Sequence, residues 1–287
     1  MFRAVQILSW SWVAAGLLIA CGPANRDGVN VDAAQHPPSD GRGNDSGSNS
    51  SFSRVYAHTS TTLYRIDTQT LMPQPVGTMV GLGTEALTDI AIDKNDQMVG
   101  VTQTKLFSID STNANVTLIK DLTGTVTGLT SLSYVPTNVN DPNSSDILVT
   151  ANNQGDVFQI DPSTGGATKI GSYGTVALGK VVSSGDLVGV RGLGIYATVK
   201  VGSSATDYLA KIDPTTWIAT PLGTSTGFKS IFGLGYWAGK FYGFVDAGTN
   251  KGNVISIDQN TGAGTLIGSG TERWYGAGVS TDAPIIE

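Results

Sequence analysis

Five times along this chain a short strand-like phrase ends in Ile-Asp: LYRID at Asp67, LFSID at Asp110, VFQID at Asp161, LAKID at Asp213 and VISID at Asp258. The intervals between these aspartates are 43, 51, 52 and 45 residues. Nine residues after each comes a branched aliphatic, Val76, Ile119, Ile170, Leu222 and Ile267, and four of the five are followed by glycine; Lys120 is the exception. A fixed interval at five places requires a strand, a turn of constant length and a second strand, with runs such as DPSTGG supplying the turn chemistry. Self-similarity at this period is the mark of a repeat architecture.

Upstream of each hairpin a third strand recurs, in RVYAH (54–58), MVGV (98–101), ILVT (147–150), LVGV (187–190) and FYGF (241–244). Before four of them lies a small-and-apolar run, LTDIAID, LTSLSYV, ALGKVVS and FGLGYWA, suited to a crowded innermost strand. Four strands in about 47 residues make one β-propeller blade. The first unit lacks its inner strand, and WYGAGVS near the C-terminus is an inner strand without successors. Joined, these two pieces complete one blade and leave no free sheet edge. The expected fold is therefore all-β, a single five-bladed β-propeller over residues 53–287, closed by its N- and C-terminal strands. A six-bladed ring or a two-sheet sandwich would need strands that the sequence does not contain. Composition agrees: 37 glycines and only 14% charged residues favour short strands and turns over charge-laced helices.

The blades resemble the broad YVTN and PQQ-like class of bacterial propeller repeats in their ID-x-x-T-G turns. The tryptophan docking motifs and the WD signature are missing, so the resemblance implies the blade and no cofactor.

The chain begins with one charge, Arg3, and an apolar run from Ala4 to Ala20. Its length suits a signal peptide (residues 1–20) and falls short of the ~20 residues of a stable span. The run ends Leu18-Ile19-Ala20-Cys21, which resembles the lipobox of bacterial lipoproteins. That resemblance implies lipidation of Cys21, the chain's only cysteine, and membrane attachment through the mature N-terminus. Gly22 stands where many lipoproteins kept in the inner membrane carry Asp, so the expected address is the cell envelope, on the outer membrane. Residues 21–52 form a polar segment without either periodicity, too poor in apolar side chains to offset chain entropy. It reads as a tether with a span of roughly 30 Å.

The repeated aspartates fall on the C-to-D turns, where they can bond their own turn's backbone, so they read as scaffold. On the opposite face the sequence suggests a long connection from Arg191 to Asp207, and Arg191 and Tyr196 are binding candidates within it. Two loops there repeat a phrase, GLGTE at Glu85 and GSGTE at Glu272, the latter followed by Arg273, Trp274 and Tyr275. Trp274 and Tyr275 are candidate stacking platforms and Arg273 a candidate polar contact. The leading reading is a non-enzymatic binding module for an envelope protein or glycan. A second reading is a glycoside hydrolase or lyase in which Glu85, Glu272 and Asp89 act at the funnel as paired acid and base.

Other signals fail on context. Gly223-Thr224-Ser225-Thr226-Gly227 matches a nucleophile elbow but has no following helix, and GLGIYA opens no βαβ unit. With the one cysteine, Cys21, committed to lipid and His58 the one histidine of the domain, the common zinc sets are missing. The runs from Asp93 to Asp96 and from Asn138 to Asp141 lack a complete calcium loop. A net charge of -6 with scattered Lys and Arg argues against nucleic acid.

Overall fold

The computed structural model describes residues 52–123 and 126–285. The signal segment 1–20, Cys21 and nearly all of the expected tether lie outside the described residues. Among the described residues, twenty-one strands form five antiparallel sheets. Blade 1 consists of β21 (Gly276–Val279), β1 (Phe52–His58), β2 (Thr62–Asp67) and β3 (Pro73–Thr78), in that order from the inside outward. Blade 2 is β4 (Asp89–Ile92), β5 (Met98–Val101), β6 (Lys105–Ile109) and β7 (Val116–Asp121). Blade 3 is β8 (Ser133–Pro136), β9 (Asp146–Ala151), β10 (Asp156–Ile160) and β11 (Ala167–Ser172). In blade 4 a short β12 (Thr175–Val176) precedes β13 (Gly179–Val190), β14 (Gly194–Val201), β15 (Tyr208–Ile212) and β16 (Ala219–Pro221). Blade 5 is β17 (Ile231–Trp237), β18 (Lys240–Gly248), β19 (Lys251–Ile257) and β20 (Gly264–Gly270). The five-bladed ring closes as expected: β1 and β21 pair with Val55 opposite Val279 and His58 opposite Gly276.

The repeated aspartate builds the same turn five times. Asp213, for example, accepts the Thr215 and Thr216 amides at 2.9 and 2.7 Å and the Thr216 hydroxyl at 2.9 Å. Equivalent bonds hold Asp67, Asp110, Asp161 and Asp258. Four residues on, the chain turns through positive φ at Leu71, Ala114, Gly165, Trp217 and Gly262. In blades 1 and 3 that residue of the next blade crowds the outer strand at its glycine. A Cβ on Gly77 would lie 3.5 Å from that of Ala114, and one on Gly171 would lie 2.6 Å from that of Trp217. Blade 2 tolerates Lys120 because its neighbour's turn presents Gly165, which has no side chain to place there.

Blade 4 departs from the expected arrangement. LVGV (187–190) is not its second strand but the end of its inner strand, β13. The segment expected as the Arg191-to-Asp207 loop contains strand β14, which pairs with β13 from Val190↔Gly194 to Val181↔Val201. A bulge between Ser183 and Leu187 lengthens β13 and lets one strand cover what sequence similarity divides into two. With this correction, the inner strands align at one level as Gly276, Asp89, Ser131, Asp186 and Gly233.

Candidate functional site

The inner strands bring backbone amides to the propeller axis, and any amide buried there needs an acceptor. Two carboxylates meet this need for all five blades. Asp89 accepts the amides of Ile90 at 2.9 Å, Leu132 at 2.8 Å and Ala277 at 3.0 Å. Asp186 accepts those of Leu187 at 2.5 Å and Leu234 at 2.6 Å. Both side chains are fully buried, and they lie close enough on the axis to repel each other. Burial is the main reason both carboxyls are held well above the usual carboxylate range, and for Asp89 the neighbouring Asp186 adds to it. His58 stands beside them. Its Nδ1 contacts the Thr59 carbonyl at 2.9 Å and must therefore carry the hydrogen, its Nε2 has no partner, and burial lowers its pKa to about 4.

One residue before this level, each inner strand contributes to a cavity of about 370 Å³ through Tyr275, Thr88, Thr130, Gly185 and Phe232. Ala86, Leu87, Leu129, Gln103 and Ser184 complete its wall. The wall is mainly apolar, and Gln103 is fixed in it by bonds to the Leu129 amide and carbonyl and to Thr88.

At the opposite end of the axis, the segment after β21 lies across four blades. Ser280 bonds the Asp93 carbonyl, Thr281 bonds Asp146, the Arg191 amide bonds the Thr281 carbonyl, and the Ala238 amide bonds the Pro284 carbonyl. Arg191 is the centre of this closure. Its guanidinium reaches Thr281 at 2.7 Å, Asp282 at 2.9 Å and the Ser144 carbonyl at 2.7 Å, and it pairs with Asp146.

The structure thus redistributes the candidates named from sequence. Arg191 is no loop residue on the cavity face: it is buried in the turn between β13 and β14 and spent on this closure. Tyr196 is a core residue of β14, packed at a tilt against Phe241 with ring centroids 4.8 Å apart, because β14 is buried along nearly its whole length. Trp274 cannot serve as an open stacking platform: it is 2% exposed and wedged edge-on between Tyr64 and Phe244. Tyr275 does line the axial cavity. Arg273 stands outside that cavity, paired with Asp246 at 2.7 Å.

The three acids have separate surroundings. Asp89 is sealed on the axis; Glu85 pairs with Lys105 at 3.6 Å; Glu272 lines a different cavity, of about 150 Å³, with Met72, Val254 and Trp274. No two of them face a common space with a free acid and base. The runs considered for calcium spend their acceptors on turn amides, Asp93 on Asn95 and Gln97, and Asn138 on Asn140.

Sequence reasoning missed Asp186, the axial role of His58 and the C-terminal closure. The signal for Asp186 was present in Gly185-Asp186-Leu187, which matches Thr88-Asp89-Ile90 once β13 is recognised as an inner strand.

No family model matches the sequence, and no curated protein matches it. Among solved structures the chain is similar to BamB from Moraxella catarrhalis, with 13% identity, a TM-score of 0.36 and coverage of 74% of this chain. It spans only 57% of that BamB chain. A protein described as TolB from Agrobacterium tumefaciens gives 12% identity and a TM-score of 0.41 over 77% of this chain and 79% of its own. A symmetrical protein from a study of de novo evolutionary emergence gives 13% identity and a TM-score of 0.48, covering 80% of this chain and 99% of its own. Likenesses this distant say nothing of activity, and the propeller stands on its own strand pairing.

Proposed function

We propose that this protein is a non-enzymatic binding module of the cell envelope, lipid-anchored through Cys21, that receives part of a protein or glycan partner at its axial cavity. The observation that carries the reading is the cavity itself: residues from all five blades form one mainly apolar wall, while the acids of the domain are buried, ion-paired or placed elsewhere. A rigid concave site with few polar groups suits binding by burial of apolar surface. The arrangement of Arg191, Asp146, Thr281 and Asp282 at the far end favours a pocket approached from the Tyr275 side over a passage through the ring.

Two experiments test the proposal. Replacing Thr130 with Arg puts a long charged side chain into the cavity wall; it should abolish capture of partners or arrayed glycans by residues 53–287 while the circular dichroism stays that of the wild type. Unchanged capture would remove the cavity from the binding site. For the anchor, Cys21→Ser should move the protein from membrane to soluble fractions or halt its maturation, because two or more acyl chains are needed for stable attachment. Continued membrane attachment of the variant would refute lipidation.

A further inference from the structure

The axial aspartates are more than a structural detail, because two neighbouring carboxylates inside a dry site cannot both ionise freely. We propose that Asp89 and Asp186 hold one proton between them at neutral pH, so that the pair carries a single negative charge, held by the amides of all five blades.

Three observations lead there. The two side chains converge on the axis, each reaching amides of neighbouring inner strands, and neither has any exposed surface, so water does not screen their repulsion. The five amides of Ile90, Leu132, Ala277, Leu187 and Leu234 all point hydrogens at the pair, which favours an anion and disfavours removing both charges. Among the described residues no Lys or Arg is ion-paired with either aspartate, so nothing offsets a second charge. The other titratable groups facing the site are uncharged. His58 is a neutral imidazole, and a Cβ built on Gly276 would lie within 3 Å of both its Nε2 and Asp89 Oδ1. Tyr173 is a buried phenol that senses Asp186. The proton belongs to the pair as a unit, as in other carboxyl dyads.

Unfolding must then release that proton, since both aspartates ionise near pH 4 in the unfolded chain. A group with a raised folded pKa contributes stability that is fully present below its unfolded value and is lost as pH rises toward the folded one. His58 acts in the opposite direction: unfolded it protonates below about 6.5, whereas folded it stays neutral down to about 4. The two proton counts cancel between those values, so the clean window lies above neutrality.

Infrared spectroscopy of the full chain in D2O at neutral pH tests the proposal. The wild type should show a protonated-carboxyl band that disappears in both Asp89→Asn and Asp186→Asn and persists in His58→Gln. Asp207, another carboxyl raised by burial, is distinguished because its band would survive both Asn variants. Absence of the band in the wild type, its survival in both Asn variants, or its loss in His58→Gln would overturn the assignment. If the Asn variants do not fold, urea titrations of the wild type between about pH 7 and 8.5 should show the folding equilibrium constant falling about tenfold per pH unit. A flat profile there would equally overturn it.

Discussion

Aspartate does opposite work at the two places where this propeller uses it. At the rim, Asp67, Asp110, Asp161, Asp213 and Asp258 sit in water, each bonded to the amides and hydroxyls of its own turn, and those bonds hold their carboxyls below the usual range. On the axis, Asp89 and Asp186 are dry, bonded to amides from several blades, and pushed the other way. Both groups accept backbone N–H bonds, so hydrogen bonding does not separate them; loss of water and a neighbouring like charge do. The rim aspartates recur because every blade must make the same turn. The axial ones do not, because two are enough for five amides and their level holds glycine or serine in the other blades.

This contrast can be broken most severely on the axis. Asp89→Ala leaves the amides of Ile90, Leu132 and Ala277 buried without their acceptor, and should cost about 3–5 kcal/mol by urea denaturation. Asp186→Ala strands two such amides and should cost less. A loss under about 1 kcal/mol for Asp89→Ala would mean that water or a rearranged neighbour satisfies those amides. The interlock between rim turns and the preceding blade is the next test. Gly171→Ala drives a methyl to 2.6 Å from the Trp217 Cβ and should cost about 1–3 kcal/mol, whereas Lys120→Ala, facing Gly165, should stay within about 0.5 kcal/mol. Equal costs would refute the explanation of the Lys120 exception.

The smallest effect is expected at the rim itself. Asp213→Ala should lower the urea midpoint slightly at neutral pH. Because its folded pKa is depressed, the stability Asp213 contributes is present above its unfolded value near pH 4 and lost as pH falls through the folded one. The wild-type and variant midpoints should therefore converge in acid; a gap that persists there would mean that the carboxylate's charge is not what stabilises the turn.

The rim was legible in the sequence because its chemistry is local: a carboxylate reaching amides two and three residues ahead leaves its mark within one short phrase. Blade number and the β1–β21 closure followed from counting those phrases and noticing the missing inner strand. Blade 4 was misread because LVGV at 187–190 copies MVGV at 98–101 residue for residue except at the first position, and only cross-strand register tells an inner strand from the one beside it. That single slip hid Asp186 and turned strand β14 into a loop. Asp89 stands near Glu85 in sequence, yet two of its three amide partners come from Leu132 and Ala277, contacts that no local pattern reports. Trp274 and Tyr196 were misjudged for the same reason, since packing between blades is set by strands far apart along the chain.

The pairing of β1 with β21 also sets a timetable. Val55 emerges early in synthesis and Val279 late, so the inner edge of β1 has no partner for most of the time the chain is being made. Contacts between such distant segments form slowly because a long loop must be closed before they reward it. Any fragment that stops short of Gly276 would carry an open strand edge and lack the Ala277 amide that completes the axial set. Folding of the ring is therefore tied to delivery of its final strand, and interrupted synthesis or premature proteolysis is the condition most apt to turn this protein into an aggregate.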